Sequence, residues 1–500
     1  MSEIGALEAV QTTAGRVEGL QRKGHLAFYG IPYAACPSGA RRFRAPEPPE
    51  AWSGVRKARE IGFAAPQTEH RIGGFAASGP QDEDCLNLNV FTPAADDGRR
   101  PVMVWIHGGG FTHGAGYEQL YDGGPLAVRG DLVVVSLNYR LGALGFLHLP
   151  EAGFDSNVAL LDQVAALRWV RDNITAFGGD PEQVTIFGES AGSASVGCLT
   201  AMPAARGLFR RAIFQSGVGR AGPPEQAASA ADALLAALGL DRSRAADLAQ
   251  IPTERILEGQ TAAIGQGFGF GPVRDPATLP QDPLGAAQSG ETASIEMLIG
   301  SNRDEVKLFA ATSRRPPLDE AALLQALAAA LPKASEGQLR TLAEVYRASR
   351  ETKGLPAENL DILDAVNSDL RFRVPSMRLA AAQAARQPHT YLYLFTHASP
   401  ARRGALGACH ALEMPFVFGT LGAPTQDKFA GSGPEVQRLS YEMMDAWIGF
   451  AREVRPSHPA IGAWPTYGEA QRPTMIFDSV GSRLEKDPFS EQRRALEALL

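Results

Sequence analysis

Residues 184 to 192 read Val-Thr-Ile-Phe-Gly-Glu-Ser-Ala-Gly, and this stretch decides the fold. Its first four residues are β-branched or apolar, which is typical of a short buried strand. The run continues directly into Gly188-x-Ser190-x-Gly192, and a helix is predicted from about Ala191 onward. A turn this tight strains the backbone of Ser190, and the two glycines leave room for neighbouring chain. We therefore expect the Ser190 hydroxyl at the carboxyl end of a strand, ahead of a helix N-terminus that favours negative charge.

Similar apolar runs elsewhere predict the strands of a large sheet. They lie at 102–107, 132–138, 212–215, 295–300 and 390–395. Between the second of these runs and the strand before Ser190, residues 157–177 carry apolar side chains at helical spacing, which indicates a right-handed parallel crossover. The sequence therefore predicts an α/β fold with a large, mostly parallel central sheet wrapped by helices. Residues 10–20 and 26–30 predict a small N-terminal hairpin sheet.

The stretch from 225 to about 387 differs from the rest because it is rich in Ala and Leu at helical spacing. The predicted helices lie at 230–240, 320–331 and 338–348. No low-complexity linker and no repeat separates this stretch from its surroundings. We interpret it as a helical, cap-like insert over one edge of the sheet, within a single domain of residues 1–500.

A glycine run follows the strand at 102–107 and reads His107-Gly108-Gly109-Gly110-Phe111. Consecutive glycines allow backbone N–H groups to turn towards a ligand and to approach it closely. Such N–H groups stabilise the oxyanion that forms in acyl transfer, and the candidate donors are Gly109, Gly110 and Ala191. The alternative is a phosphate-binding loop, but the run lacks the Lys-Ser/Thr ending and the GxGxxG spacing. The order of glycine run and serine turn is typical of the α/β-hydrolase fold.

The catalytic base of that fold is a histidine that follows the serine along the chain. Four histidines follow Ser190. His389 precedes a predicted strand and His458 lies in a proline-flanked segment, so both are interpreted as solvated side chains. His397, at the end of the strand at 390–395, and His410, in the loop beyond it, remain as alternatives on the residues alone.

The acid of the triad is expected on a loop after an earlier strand. The segment at 301–305 follows the predicted strand at 295–300 and presents two adjacent carboxylates, Asp304 and Glu305. Either carboxylate could orient an imidazole and stabilise its protonated form. The alternative is a polar loop in which Arg303 pairs with one of the two.

Composition and charge exclude several classes of protein. A formal net charge of −7 without a basic stripe argues against a nucleic-acid partner. No apolar run is long enough to span a bilayer, and the N-terminal residues lack a secretory pattern, so a cytoplasmic location is expected. The four cysteines lie far apart without metal-ligand spacing, so no metal site is predicted.

The motifs together resemble those of the type-B carboxylesterase and cholinesterase-like family, over nearly the whole chain. The matching segments are Gly30-Ile-Pro-Tyr-Ala34, Glu83-Asp-Cys-Leu-Asn-Leu-Asn-Val90, Trp105 to Phe111, Asn138-Tyr-Arg140, Phe177-Gly-Gly-Asp-Pro181, and Gly188 to Gly192. The resemblance implies a serine carboxylesterase that takes small-molecule esters and needs no cofactor. It assigns the acid to Glu305 and the base to His410, within the segment His410-Ala-Leu-Glu-Met-Pro-Phe416.

The resemblance carries further, finer expectations. It implies that Ser216 contacts and orients the triad without belonging to it. It also implies two structural ion pairs, Arg42 with Glu83 and Arg140 with Asp162. Substrate pockets in such sites are mostly apolar, and we expect them to draw on three phenylalanines. These are Phe111, Phe268 and Phe270.

The departures from the family pattern are informative too. Secreted members close a disulfide loop onto the cysteine that corresponds to Cys85, but residues 64–67 read Ala-Ala-Pro-Gln, so a buried free thiol is expected. Residues 67–84 contain no tryptophan, which the choline-binding relatives use to hold a quaternary ammonium group. The chain is therefore most similar to the bacterial para-nitrobenzyl esterase branch, whose members accept simple esters.

Two alternative functions follow from the same features. Some relatives of this fold are non-catalytic adhesion proteins, but these lose the serine that is present here at position 190. An amidase or peptidase uses the same triad when the leaving amine is protonated well. The sequence gives no oligomeric state, although the predicted C-terminal helix at 490–500 could take part in a contact.

Overall fold

A computed structural model describes residues 9–69, 76–312 and 315–500. The chain divides into two compact units. The first comprises Met1–Glu296 with Trp447–Arg455, and the second comprises Met297–Ala446 with Pro456–Leu500. The single-domain organisation inferred from the sequence stays a prediction.

Ten strands lie in the described residues of the first unit. They are β1 (Val10–Gln11), β2 (Arg16–Glu18), β3 (Leu20–Arg22), β4 (His25–Pro32), β5 (Val55–Lys57), β6 (Asn87–Thr92), β7 (Arg100–Ile106), β8 (Val133–Leu137), β9 (Gly179–Glu189) and β10 (Arg211–Gln215). Seven of them form a sheet in the order β3-β4-β6-β8-β7-β9-β10. The pairs from β8 to β10 are parallel, and the pairs from β3 to β8 are antiparallel.

Within the same described ranges, seven α-helices accompany these strands. They are α1 (Gly124–Gly130), α2 (Gly142–Phe146), α3 (Val158–Asn173), α4 (Ala191–Ala201), α5 (Pro224–Ala237), α6 (Thr253–Gly265) and α7 (Pro283–Ser289). Helix α3 joins β8 to β9, which both pair with β7 in parallel, as the predicted crossover requires. Strand β7 is buried along almost its whole length, because apolar residues on both of its faces pack against other elements. The crossover therefore places the ends of β7 and β9 side by side.

The described residues of the second unit contain four strands and the remaining helices, except that the helix Pro434–Glu453 passes into the first unit at Trp447. They are β11 (Glu296–Asn302), α8 (Lys307–Ala310), α9 (Glu320–Ala330), α10 (Glu336–Thr352), α11 (Asn359–Ser368), α12 (Val374–Ala384), β12 (Thr390–Phe395), α13 (Met414–Phe418), α14 (Gln426–Phe429), α15 (Pro434–Glu453), β13 (Pro473–Phe477), β14 (Arg483–Lys486) and α16 (Ser490–Glu497). The strand order is β11-β12-β13-β14, with only the β13–β14 pair antiparallel. A single π-helical turn, Asp369–Arg373, joins α11 to α12.

Helices α9, α10, α11 and α16 share a hydrophobic core of their own in the second unit. Leu327, Leu342, Tyr346, Ile362 and Leu496 are among its fully buried members. The Ala- and Leu-rich helices predicted around 320–348 are therefore confirmed as α9 and α10, because their apolar faces pack together.

The small N-terminal sheet is present, although its strands differ from those expected. Strands β1 and β2 pair antiparallel, and β5 joins them in parallel. Residues 26–30, which we expected in that small sheet, belong to β4, and β4 instead joins the larger sheet by pairing with β6 while β3 pairs with its other edge. Short strands of this kind carry no sequence signal that selects between two edges.

A buried ion pair ties the end of β8 to α3. The Arg140 guanidinium donates to both carboxylate oxygens of Asp162, at 2.8 and 2.6 Å, and the Arg140 backbone N–H donates to the same carboxylate at 3.1 Å. Arg42 and Glu83 form the second expected pair. Burial alone would lower the pKa of the Arg140 guanidinium, but the Asp162 carboxylate outweighs burial and raises it.

Replacing Asp162 with alanine should destabilise the protein by about 3 to 5 kcal/mol, because it leaves the Arg140 cation buried without a counter-charge. The matched control is Asp172→Ala, which breaks an ion pair with Arg171 whose side chains are exposed, and it should cost less than about 1 kcal/mol. Urea denaturation of both variants measures the difference. Equal losses of unfolding free energy would contradict the assignment of Arg140–Asp162 as a buried structural pair.

Candidate active site

The chain turns sharply at Ser190, between β9 and α4. Ser190 has φ 56° and ψ −122°, so the predicted strained backbone is confirmed. Its N–H donates to the carbonyl of Gln215 on β10 at 2.9 Å, and its carbonyl accepts from Ala194 N–H in α4 at 2.8 Å. A Cβ added at Gly188 would lie 2.5 Å from the carbonyl carbon of Gly192, and one added at Gly192 would lie 2.0 Å from the Ile106 carbonyl oxygen, so both flanking positions require glycine.

The glycine loop begins where β7 ends, directly beside this turn. Ile106 of β7 is in register with Gly188 of β9. A Cβ added at Gly108 would lie 3.2 Å from the Cβ of Ser190. The first peptides of the loop therefore pack against the serine turn.

Two carbonyl groups of the loop are held in fixed directions. The Gly108 carbonyl lies 2.8 Å from Nδ1 of His107. The Gly109 carbonyl accepts from the N–H groups of His113 and Thr112, at 3.0 and 3.2 Å. Because a trans peptide is planar, with its C=O and N–H pointing in opposite directions, each fixed carbonyl also fixes the N–H of the next residue.

The N–H groups fixed in this way are those of Gly109 and Gly110. Among residues 9–69, 76–312 and 315–500, none accepts a hydrogen bond from Gly109, Gly110 or Ala191 N–H. Ala191 opens α4, where the first N–H groups lack an intrahelical acceptor. These three backbone N–H groups are thus the candidates for oxyanion donors.

His107 is a further part of this arrangement, and no role for it was predicted from the sequence. Burial lowers the pKa of its imidazole to about 4, so the ring is neutral at pH 7. A neutral ring can still donate from Nδ1 to the Gly108 carbonyl. The ring also stacks on Tyr139 at 4.5 Å, and the Tyr139 hydroxyl donates to the His107 carbonyl at 2.8 Å.

The second unit contains a buried pair of carboxylate and imidazole. His410 Nδ1 lies 2.6 Å from Oε2 of Glu305, and both side chains are almost completely buried. The Asn302 N–H donates to the other Glu305 oxygen at 2.7 Å. A carboxylate at this distance holds the imidazole proton on Nδ1, which leaves Nε2 as the basic nitrogen.

The neighbouring carboxylate, Asp304, has other partners. It accepts from Arg303 at 2.9 Å and from the Ala408 N–H at 3.0 Å, and it lies 3.6 Å from Arg350. Burial would raise the pKa of the Asp304 carboxyl, but these cations, with Lys307, outweigh burial and lower it. Asp304 is therefore the carboxylate that pairs with Arg303, as the polar-loop alternative predicted for one of the two. Glu305 is the carboxylate that contacts a histidine.

His397, the other candidate base, lies in a different setting. Its Nδ1 is 2.8 Å from the Ser479 hydroxyl and its Nε2 is 2.9 Å from the Ala430 carbonyl. Both ring nitrogens are used by these groups, and neither contact is a carboxylate. This ring therefore ties together three loops of the second unit.

Four residues around His410 and Glu305 have no counterpart in the sequence-based predictions. The rings of Phe309 and Phe372 lie 4.9 and 5.1 Å from the His410 imidazole, and Phe372 belongs to the π-helical turn. Asn302, which holds Glu305, also donates to the Glu413 carboxylate at 2.6 Å. The only sequence signal for Asn302 and Glu413 was their position in the segments 301–305 and 410–416.

The remaining predicted residues belong to the first unit. Ser216 follows β10 with φ 56°, and its buried hydroxyl meets no hydrogen-bond partner among the described residues. Phe111 is half-buried and packs on Phe146 at 4.9 Å. Phe270 is buried and Phe268 is half-buried.

Comparison with known proteins decides the family. The profile of the carboxylesterase family matches residues 6–495. The chain belongs to the carboxylesterase family. It is 41% identical to the para-nitrobenzyl esterase of Bacillus subtilis, with 98% of each chain covered. It is 38% identical to the phenmedipham hydrolase of Pseudarthrobacter oxydans, over 95% of this chain and 96% of that protein.

A solved para-nitrobenzyl esterase structure superimposes with a TM-score of 0.87 at 41% identity, and covers 98% of this chain and 99% of its own. The predicted α/β-hydrolase fold is thereby confirmed. So is the predicted activity, and this carboxylesterase is a serine hydrolase of carboxylic esters.

Two further features of this carboxylesterase bear on the sequence analysis. Cys85 is a buried free thiol, as expected from the missing upstream cysteine. Within the described part of the chain, no helix combines the length and apolar character that crossing a bilayer requires.

Stability should depend on the His107 ring. Its pKa of about 4 in the fold lies below the ordinary value of 6.5. The unfolded chain therefore binds more protons between these values, and the free energy of unfolding should fall as the pH drops from about 6.5 to 4. In His107→Asn, whose side-chain amide can still donate to the Gly108 carbonyl but does not titrate, this fall should be smaller. Urea denaturation of both proteins at several pH values measures it, and identical pH slopes would contradict the assignment.

Proposed function

We propose that this carboxylesterase cleaves small-molecule esters through an acyl-enzyme on Ser190, with His410 as base and Glu305 as its orienting acid. The observation that carries the proposal is the group of three free N–H donors, on Gly109, Gly110 and Ala191, beside the strained serine turn. Preformed donors of this kind stabilise a transition state without reorganisation during the reaction.

In the acylation step, Nε2 of His410 takes the hydroxyl proton while Ser190 Oγ forms a bond to the ester carbonyl carbon. The carbonyl electrons move onto oxygen, and the oxyanion accepts hydrogen bonds from the three N–H donors. Glu305 stabilises the imidazolium through the Nδ1–H bond. The proposal requires Nε2 to reach the Ser190 hydroxyl when substrate is bound.

The tetrahedral intermediate then breaks its bond to the alcohol oxygen, which takes the proton back from His410 Nε2. A water molecule loses a proton to the same nitrogen and attacks the acyl carbon. The second oxyanion rests on the same donors, and collapse returns the proton to Ser190 Oγ as the carboxylic acid leaves. His410 Nε2 thus accepts and returns the proton in both acylation and deacylation.

Two finer assignments belong to this proposal. Ser216 lies next to Gln215, whose carbonyl accepts the Ser190 N–H, and we assign it the role of supporting the serine turn. Phe111, Phe268 and Phe270 are assigned to the wall that receives the apolar part of the substrate. A Cβ added at Gly271 would lie 3.5 Å from the Phe111 ring, so the segment after Phe270 does reach Phe111.

The substrate class proposed is simple esters of varied acids and alcohols, by similarity to the para-nitrobenzyl esterase. A net charge of −7 supports a small-molecule substrate over nucleic acid. The free cysteines support a reducing compartment, and we propose the cytoplasm.

The experiment that tests the nucleophile compares wild type with Ser190→Ala on para-nitrophenyl acetate. Turnover should disappear in the variant while the thermal midpoint stays within a few degrees of wild type. A fluorophosphonate probe should label the wild type once, at Ser190, and leave the variant unlabelled. Labelling at another residue, or turnover by Ser190→Ala, would overturn the proposal.

The two adjacent carboxylates offer a matched pair for testing the acid. Glu305→Gln should lower kcat by about 10³- to 10⁴-fold, because the imidazole loses the group that fixes its tautomer and stabilises its charged form. Asp304→Asn should mainly lower stability, because its partners are Arg303, Arg350 and a backbone N–H. Steady-state kinetics and thermal denaturation separate these effects. If Asp304→Asn lost more kcat than Glu305→Gln, the acid would be misassigned.

A further inference from the structure

Gln67 is a buried side chain whose hydrogen-bonding capacity is completely used by backbone groups. Its Oε1 accepts from the N–H groups of Gly114 and Ala77, both at 2.9 Å. Its Nε2 donates to the carbonyls of Gly114 and Ala65, both at 3.0 Å. An amide has two donor hydrogens and two acceptor lone pairs, so all four are satisfied here.

Two of these four bonds go to the same residue. The Gly114 N–H donates to the Gln67 amide oxygen, and the Gly114 carbonyl accepts from the Gln67 amide nitrogen. The side-chain amide thus pairs with the Gly114 backbone as a residue of a neighbouring β-strand would. Gly114 has φ 107°, a conformation that glycine tolerates and that its neighbours must hold in place. Gln67 thus holds Gly114 in place, at the end of the loop that runs from His107 to Gly114.

The end of the loop packs directly on its beginning. A Cβ added at Gly114 would lie 2.5 Å from His107 Nδ1 and 2.6 Å from the Gly108 carbonyl oxygen. The residue before Gly114 is His113, whose N–H holds the Gly109 carbonyl at 3.0 Å. A displacement of Gly114 would therefore reach both carbonyls that set the directions of the Gly109 and Gly110 N–H groups.

We propose that Gln67 is a positioning residue for the oxyanion donors, and that it acts through Gly114 on the Gly109 and Gly110 N–H groups. This inference rests on the proposed function, since it assigns those groups to the transition state. Gln67 itself touches neither substrate nor reacting atoms. Its contribution should appear in the chemical step and not in ground-state binding, because the donors meet full negative charge only in the transition state.

A purely structural role for Gln67 makes a different prediction. Removing buried hydrogen bonds lowers stability wherever they are, by leaving partners unsatisfied. Asn173 provides the matched comparison in the same unit. Its buried amide accepts from the Thr13 N–H at 2.7 Å and donates to the Trp169 carbonyl at 2.9 Å, away from the glycine loop.

The test uses the full-length protein in four forms. They are wild type, Gln67→Met, Gln67→Glu and the control Asn173→Leu. Gln67→Met keeps the length of the side chain and removes its four hydrogen bonds. Gln67→Glu keeps the shape of the side chain and both bonds in which it accepts. It replaces the NH₂ group, which donates to the Gly114 and Ala65 carbonyls, with an oxygen. This variant therefore tests the contact with Gly114 even if Gln67→Met does not fold.

Three quantities are measured for each form: kcat and KM on para-nitrophenyl butyrate, the thermal midpoint, and the inhibition constant of an alkyl trifluoromethyl ketone. This ketone forms a tetrahedral serine adduct whose oxyanion needs the same donors. Both Gln67 variants should lose about 10- to 100-fold in kcat, while KM changes less than about threefold. The inhibition constant should rise by the same factor as kcat/KM falls.

Asn173→Leu should lower the thermal midpoint and leave kcat and the inhibition constant within about twofold of wild type. If a Gln67 variant matched this control, with a lower midpoint and unchanged kcat, the inference would be overturned while the proposed function stood. If the wild type failed to hydrolyse the ester or to bind the ketone at Ser190, the proposed function itself would fail, and the inference with it.

Discussion

The planarity of two peptide groups is the constraint on which the rest of this site depends. The Gly108 carbonyl is held by the His107 ring, and the Gly109 carbonyl is held by the N–H groups of His113 and Thr112. Because each peptide is planar, these contacts also fix the directions of the Gly109 and Gly110 N–H groups. Gly109 and Gly110 both have positive φ, which β-branched or bulky residues would resist. Backbone geometry thus sets the directions of the two N–H groups that we propose as oxyanion donors.

Each unit holds its own set of the proposed site residues. In the first unit, neighbouring parallel strands and their turns hold Ser190 and the glycine-loop N–H groups. In the second unit, the distribution of cations distinguishes two adjacent carboxylates. Arg303 and Arg350 are taken up by Asp304, so Glu305 keeps a carboxylate oxygen for His410. Charge placement, more than position along the chain, distinguishes two adjacent acids.

The sequence predicted those parts of the site that local rules control. The strand, turn and helix around Ser190 and the glycine run depend on neighbours in the chain, and both follow from short motifs. His410 and Glu305 are 105 residues apart, and the residues alone left His397 and Asp304 open, because periodicity does not report which loops meet. Only the resemblance to the family selected His410 over His397 and Glu305 over Asp304.

Other features depend on contacts that no local pattern encodes. Gln67 meets Gly114 across 47 residues, and its neighbours in sequence gave no hint of a role. Likewise, Asn302 meets Glu413 through a side-chain bond across 111 residues. The hairpin of β3 and β4 could pair with either sheet by its sequence, and tertiary packing selected the larger one. Such contacts become visible only when the chain is folded.

The most direct test of the account is a crystal structure of the protein inactivated by a fluorophosphonate. We expect phosphorus bonded to Ser190 Oγ, with the phosphoryl oxygen about 2.7 to 3.1 Å from the backbone nitrogens of Gly109, Gly110 and Ala191. A phosphoryl oxygen directed away from these three nitrogens, or an adduct on a different side chain, would contradict it.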